Sequence, residues 1–248
     1  MIKDYFDSVE RLLKEVLATE KEAMEQGSKL IAEAIQNGGV VHLFGCGHSH
    51  IFAEEVFYRA GGLAAINPIF HEPLMLHEGA AHSSQLERKN NYAQTFLADI
   101  EFRAEDVLIV FSTSGRNPVP IDVALFAKEK GVKVITITSK AYSESQVSRH
   151  TSKQRLYDVG DVVVDNKAPV GDAALSLPEV KVPFAPVSTA IGVTILQAIF
   201  ATAIEKMVSN DFEPPIFLSG NIENADEHNN RLLEKYGQRI PLLIEGME

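Results

Sequence analysis

VVHLFGCGHSHIFAEE, from Val40 to Glu55, and VLIVFSTSGRNP, from Val107 to Pro118, decide how this chain folds. Each opens on an apolar, largely β-branched run, passes through a Gly/Ser turn and enters a helical pattern. That order puts small side chains and free backbone N–H groups at the carboxyl end of a strand and the start of a helix. The helix dipole adds positive potential there, so both loops suit an anion such as a phosphate. Two such loops on one sheet point to a phosphorylated small molecule held at the sheet's carboxyl edge.

Around them, strand and helix patterns alternate. Strands are expected at Val40–Phe44, Ala64–Asn67, Asp106–Ser112, Lys133–Thr138 and Asp161–Val164, and helices at about 49–60, 86–98, 119–130 and 188–208. Short, mostly apolar strands separated by helices predict an α/β fold: a doubly wound, three-layer αβα sandwich around a parallel sheet. Ahead of it, Ile2, Phe6, Val9, Leu13, Val16, Ala23, Leu30 and Ala34 recur at helical spacing, predicting one long helix over residues 2–36 that Gly27 ends or kinks. That helix packs either on the domain or on a second subunit. The tail ADEHNNRLLEKYGQRI reads as a polar-faced helix. The expected units are therefore the N-terminal helix (1–36), the ligand-binding domain (37–210) and a C-terminal tail (211–248).

Several chemistries are disfavoured. Gly45-Cys46-Gly47 begins like a dinucleotide fingerprint, but His50 takes the place of its third glycine, and the strand near 64–67 ends without an acidic residue for a ribose. STSGRNP lacks the spacing and the lysine of a nucleotide P-loop. No cofactor is expected. A formal net charge of −11 with no long Lys/Arg block opposes nucleic-acid binding. Cys46 is the sole cysteine, which excludes an intrachain disulfide and fits a reducing cytosol. There is no run of 18 apolar residues, and MIKDYFDSVERLLKE has no signal-type apolar core; the reading is a cytoplasmic protein with no membrane span.

The histidines fit no standard zinc spacing: His48 and His50 flank Ser49, and His71, His77 and His82 lie in an irregular stretch. No metal site is expected, and a single histidine acting as proton donor is the better reading. Arg149, His150, Lys153 and Arg155 form a basic cluster, read either as a solvated loop or as a clamp on an acidic group.

GCGHS followed by FAEE, then STSGRNP, then PVSTA opening a late helix resembles the SIS (sugar isomerase) domain over roughly residues 30–208. Phe52-Ala53-Glu54-Glu55 looks like the corresponding helix of bacterial phosphoheptose isomerase, and the whole chain is similar to a bacterial SIS family labelled phosphoheptose isomerase-like. The resemblance implies a five-stranded parallel sheet, a homodimer or homotetramer, and sugar-phosphate binding. On it, Gly47, Ser49, Ser112, Thr113, Ser114, Asn117 and Ser188 are the phosphate-binding set, and Glu55 matches the glutamate used as a base. His228, on the tail helix, would be offered to a neighbouring subunit's site. Two departures matter: Ile51 stands where phosphoheptose isomerase has a metal-binding histidine, and the late helix has no histidine.

The function expected is aldose–ketose isomerisation of a sugar phosphate through an enediol, with Glu55 near the sheet's carboxyl edge as base, His228 or His82 as the second acid–base group, and Glu87 as the reserve carboxylate. The alternatives are a phosphosugar lyase or etherase on the same fold, and a non-catalytic phosphosugar sensor.

Overall fold

The computed structural model describes residues 1–247. Five short strands, β1 (Val41–Gly45), β2 (Ile66–Pro68), β3 (Val107–Phe111), β4 (Lys133–Thr138) and β5 (Val162–Asp165), form one all-parallel sheet in the order β2-β1-β3-β4-β5. Val41 pairs with Val107 and Gly45 with Phe111, so the carboxyl ends of β1 and β3 finish level with one another. Both strands are buried along their whole length, which is why they read as continuous apolar runs rather than as alternating ones.

Helices cover both faces. They are α1 (Ile2–Gln36), α2 (Ile51–Val56), α3 (Ala80–Glu87), α4 (Gln94–Leu97), α5 (Pro118–Glu129), α6 (Lys140–Glu144), α7 (Leu156–Val159), α8 (Ser188–Ser209) and α9 (Ala225–Tyr236). Leu43, Ile109, Phe111, Ile135 and Ile137 project to one face, where α1, α2 and α8 pack. Phe44, Leu108, Val110 and Val134 project to the other, against α4, α5 and α7. The chain leaving β1 thus turns to one layer and the chain leaving β3 to the opposite one. A crevice opens between two neighbouring strands whose connections part in this way, and ligands of open α/β sheets bind there.

Gly27 neither ends nor kinks α1. It faces the sheet, and a Cβ there would lie 3.4 Å from Ile135 Cδ1, so glycine lets the helix approach closely. Elsewhere on α1, Glu20 is buried and bonded to Lys167 Nζ at 2.6 Å, tying the helix to the end of β5. The tail shares the same core through Leu233, Tyr236 and Ile240. Helix α8 is long and apolar enough to cross a membrane, but Ile191, Ile195, Leu196, Ile199 and Phe200 are spent on packing within this layer.

The sequence pattern merges α3 and α4 into one helix over 86–98. In the structure α3 begins at Ala80 after Gly79 (φ +122) and ends at Glu87, and Asn91 is left-handed (φ +64) ahead of α4. Glu87 therefore closes a helix instead of lying near the start of one. At the opposite end of the sheet, fully buried Asp106 accepts from His42 Nε2 (3.2 Å), the Val40 and Arg103 amides (2.9 and 2.8 Å) and Arg239 Nη2 (2.8 Å), locking the tail to the strands.

Candidate functional site

The β3 loop is held from outside by its carbonyls. Thr113 O accepts from Ser139 N–H (3.0 Å), Ser114 O from Ser143 Oγ (2.7 Å), Gly115 O from Leu156 N–H (2.8 Å) and Arg116 O from Arg149 N–H (2.9 Å). With every carbonyl turned outward, the N–H groups of Thr113 and Ser114 are left without a hydrogen bond among the described residues. Such a run of N–H groups forms an anion-binding concavity. Gly115 makes the turn possible: its φ is +57, and a Cβ would fall 2.5 Å from Ser143 Oγ and 2.7 Å from Thr138 Oγ1. Helix α5 adds less than its position suggests, because Pro118 and Pro120 remove two N–H groups from its first turn.

The β1 loop faces it. Gly47 is left-handed (φ +56), and the chain continues as a 3-10 turn, Gly47–His50, before α2 begins. Gly45 has no room for a side chain against the Ser49 backbone, so the loop folds tightly over the strand end. Phe52 stacks on Phe111 at 4.0 Å and joins the cavity wall.

Between the loops lies a cavity of about 340 Å³, the lower end of the size usual for small-molecule sites. Gly47, Ser49, Ser112, Thr113, Ser114, Asn117 and Ser188, the predicted phosphate set, all line it, as does Glu87. Ser188 is already engaged. Asp172 accepts from Ser188 Oγ (2.6 Å) and from the Val187 and Ser188 amides (3.1 and 2.8 Å), placing a carboxylate on the α8 N-terminus. Asn117 stands at the α5 N-cap with extended backbone, but its side chain does not cap the helix; Nδ2 donates to Glu87 Oε1 at 2.9 Å.

Burial pushes the Glu87 carboxyl above its ordinary range, against the Asn117 bond and the positive charges of Arg88 and Arg149, which pull it down. Burial also pushes the neighbouring Cys46 thiol well up, with the Glu87 charge adding to the effect, so Cys46 is an un-ionised, poorly reactive wall residue.

The other predicted catalytic residues lie elsewhere in the chain. Glu55 pairs with Arg59 in a separate groove bordered by Val193, Gln197 and Phe200 of α8. It lies six residues beyond Ser49, and six residues at about 100° each turn the side chain about 120° away from Ser49 even in a regular helix. His228 donates to Ile216 O at 2.7 Å, and His82 is exposed. His50 is buried and turns back onto Gly47 O, whereas exposed His48 lines the cavity mouth. Among the described residues no three His, Cys, Asp or Glu side chains are arranged to hold a metal ion.

The basic cluster makes local contacts: Arg149 to Asn117, His150 to Asp122, and Arg155 to the Ser143 and Gln146 carbonyls. None of its members is among the cavity-lining residues described. Sequence reasoning missed Ser84, Tyr142, Asp172 and Thr189 of the lining. Two of these had a local signal: Thr189 stands in the PVSTA segment, and Asp172 follows Gly171 in a Pro-rich stretch.

A SIS domain family model matches residues 4–139. A UPF0309 protein of Listeria innocua is 63% identical over 98% of both chains. Among solved structures, phosphoheptose isomerase of Neisseria gonorrhoeae superposes with a TM-score of 0.54 at 17% identity, covering 84% of this chain and 97% of that one. A phosphoheptose isomerase of Francisella tularensis gives 0.53 at 18% identity, covering 82% and 96%. At such identities the solved structures speak for the fold. With a family model running from the first turn of α1 to the end of β4, and a relative aligned end to end, the chain belongs to the SIS domain family and, within it, to the UPF0309 proteins.

Proposed function

We propose that this chain binds a sugar phosphate in the crevice between β1 and β3 and isomerises it, aldose to ketose, with Glu87 as the proton-transferring base. One observation carries the reading: a half-buried carboxylate, its pKa raised by desolvation, shares a cavity with both serine loops. The cavity lining holds two acidic side chains, Glu87 and Asp172, so an incoming phosphate relies on the N–H groups of Thr113 and Ser114 and the hydroxyls of residues 112–114. The sugar carbons then extend toward Glu87.

In the reaction Glu87 takes the hydrogen from the carbon beside the carbonyl as a proton, leaving an enediolate. Returning the proton to the neighbouring carbon, with a proton shifted between the two oxygens, completes the exchange with no redox change. A raised pKa makes the carboxylate a stronger base near neutral pH. His48, at the cavity mouth, is placed to exchange a proton with the sugar oxygens. The two solved neighbours named as phosphoheptose isomerases support the substrate class by likeness of fold.

On α1, exposed Phe6 and Leu17 flank half-buried Val9 and Leu13 around a shallow groove, an apolar stripe that fits burial against a second copy of the chain. Calorimetric titration with a panel of pentose, hexose and heptose phosphates, each beside its free sugar, tests the binding claim. Phosphorylated forms alone should bind, and Ser114→Ala should weaken them; equal binding of free sugars overturns the reading.

A further inference from the structure

The Glu87 carboxylate belongs to a closed ring of contacts that leads out of the cavity. Asn117 donates from Nδ2 to Glu87 Oε1 at 2.9 Å, and its Oδ1 accepts from Arg149 Nη1 at 2.8 Å. Arg149 is held in turn by its backbone. Its N–H donates to Arg116 O at 2.9 Å and its carbonyl accepts from Asn90 Nδ2 at 3.2 Å. Asn90 Oδ1 also accepts the Thr151 N–H at 2.9 Å, and the intervening His150 bonds Asp122 at 2.8 Å. Asn90 lies three residues after Glu87, so the ring returns to the segment that carries the base.

We propose that Arg149 is a positioning residue for Glu87 that acts through the Asn117 amide. An amide has a donor end and an acceptor end of nearly equal size, and only the donor end supports an ionised carboxylate. A guanidinium on Oδ1 fixes the choice: it holds the oxygen outward, turns Nδ2 toward Glu87, and polarises the amide so that it donates more strongly. The residue at the N-cap is thereby diverted from capping α5, a task its type performs well. The ionisable and charged groups around Glu87 are the Cys46 thiol from the β1 loop, Arg88 on its own segment, Arg149 from the 146–155 segment and, across the cavity, His48, Tyr142 and Asp172. Among the described residues, Asn117 is the side chain that hydrogen-bonds Glu87, and Arg149 is the cation that bonds Asn117.

The functional meaning rests on Glu87 as base, but the test needs no substrate. Full-length protein carrying 13Cδ-glutamate is titrated by NMR, with the Glu87 signal assigned by its loss in Glu87→Gln. In Arg149→Met, a change at an exposed residue, the Glu87 midpoint should rise by about half a pH unit, and Arg149→Lys should restore most of the difference. In an Asn117→Ala background, adding Arg149→Met should move the midpoint less than half as far, by the direct pull of the Arg149 charge alone, because the contact that transmits the rest is gone. An unchanged midpoint in Arg149→Met overturns the proposal. So does an equal shift in both backgrounds, which would mean that Arg149 acts by its charge alone and not through Asn117. Absence of sugar-phosphate turnover would remove the proposed reaction and leave these titrations standing.

Discussion

Gly115→Ala puts a methyl group where the anion loop has no space. At φ +57 an L side chain meets its own backbone, a cost of about 1–2 kcal/mol. The new Cβ would also lie 2.5 Å from Ser143 Oγ and 2.7 Å from Thr138 Oγ1. Ser143 must then move, weakening its 2.7 Å bond to Ser114 O, worth about 1 kcal/mol. The sum is about 2–3 kcal/mol, a fall in Tm of about 4–12 °C for a chain of this size. Gly38→Ala is the control: φ is +81 and nothing lies within 4 Å of the added methyl, so it carries the backbone cost alone. Scanning calorimetry of the two variants separates the terms, and titration below the transition should show sugar-phosphate affinity lost in Gly115→Ala only. A Gly115→Ala protein no less stable than Gly38→Ala, with affinity intact, would refute the claim that this close approach shapes the cradle.

Glu87→Gln keeps the acceptor for Asn117 and removes the charge. The folded state raises the Glu87 pKa, so it holds the proton more tightly than the unfolded chain, and wild-type stability declines as pH rises from the ordinary value of 4.5 through the folded value. Melting curves should put the variant about 2–4 °C above wild type at pH 8, with the gap closing below the ordinary value; no gap at pH 8 would mean that the buried charge costs nothing. Asp106 runs the other way. Burial alone would raise its pKa, but the bonds from His42 and the Val40 and Arg103 amides hold it below 3.8, so its stabilisation is present above that value and lost as pH falls through the folded one. Asp106→Asn should cost about 3 kcal/mol at pH 7 by chemical denaturation, since it strands Arg239, and much less in strong acid. Light scattering at micromolar concentration should report a dimer or larger, and Phe6→Glu should shift it toward monomer; a wild-type monomer removes that interface.

The sheet was legible because parallel strands covered on both faces leave an unbroken apolar signature, and each of the five expected runs overlaps a strand. The two loops were legible because a strand end, a turn and a helix start follow one another directly in sequence. Gly27 misled because a glycine facing a sheet and a glycine ending a helix look alike until the neighbour, Ile135, is known. Glu55 stands in a motif at a suitable rise past Ser49, but the helical rotation over those six residues carries it to another face. The wall of the cavity was the least legible part. Tyr142 reaches it from the β4–β5 connection and Asp172 from the segment after β5, and the Asn117–Arg149 contact joins residues 32 positions apart. Nothing local encodes such contacts.

Solvent exchange at carbon bears most directly on Glu87 as the base. Wild-type protein, Glu87→Gln and Glu55→Gln are incubated in D2O with the sugar phosphates that bind, and deuterium at the carbon beside the carbonyl is followed by NMR. Exchange is expected in wild type and in Glu55→Gln, with a loss of at least about 10²-fold in Glu87→Gln while binding is retained. Exchange that survives Glu87→Gln and disappears in Glu55→Gln would contradict that assignment, moving the base to the α8 groove.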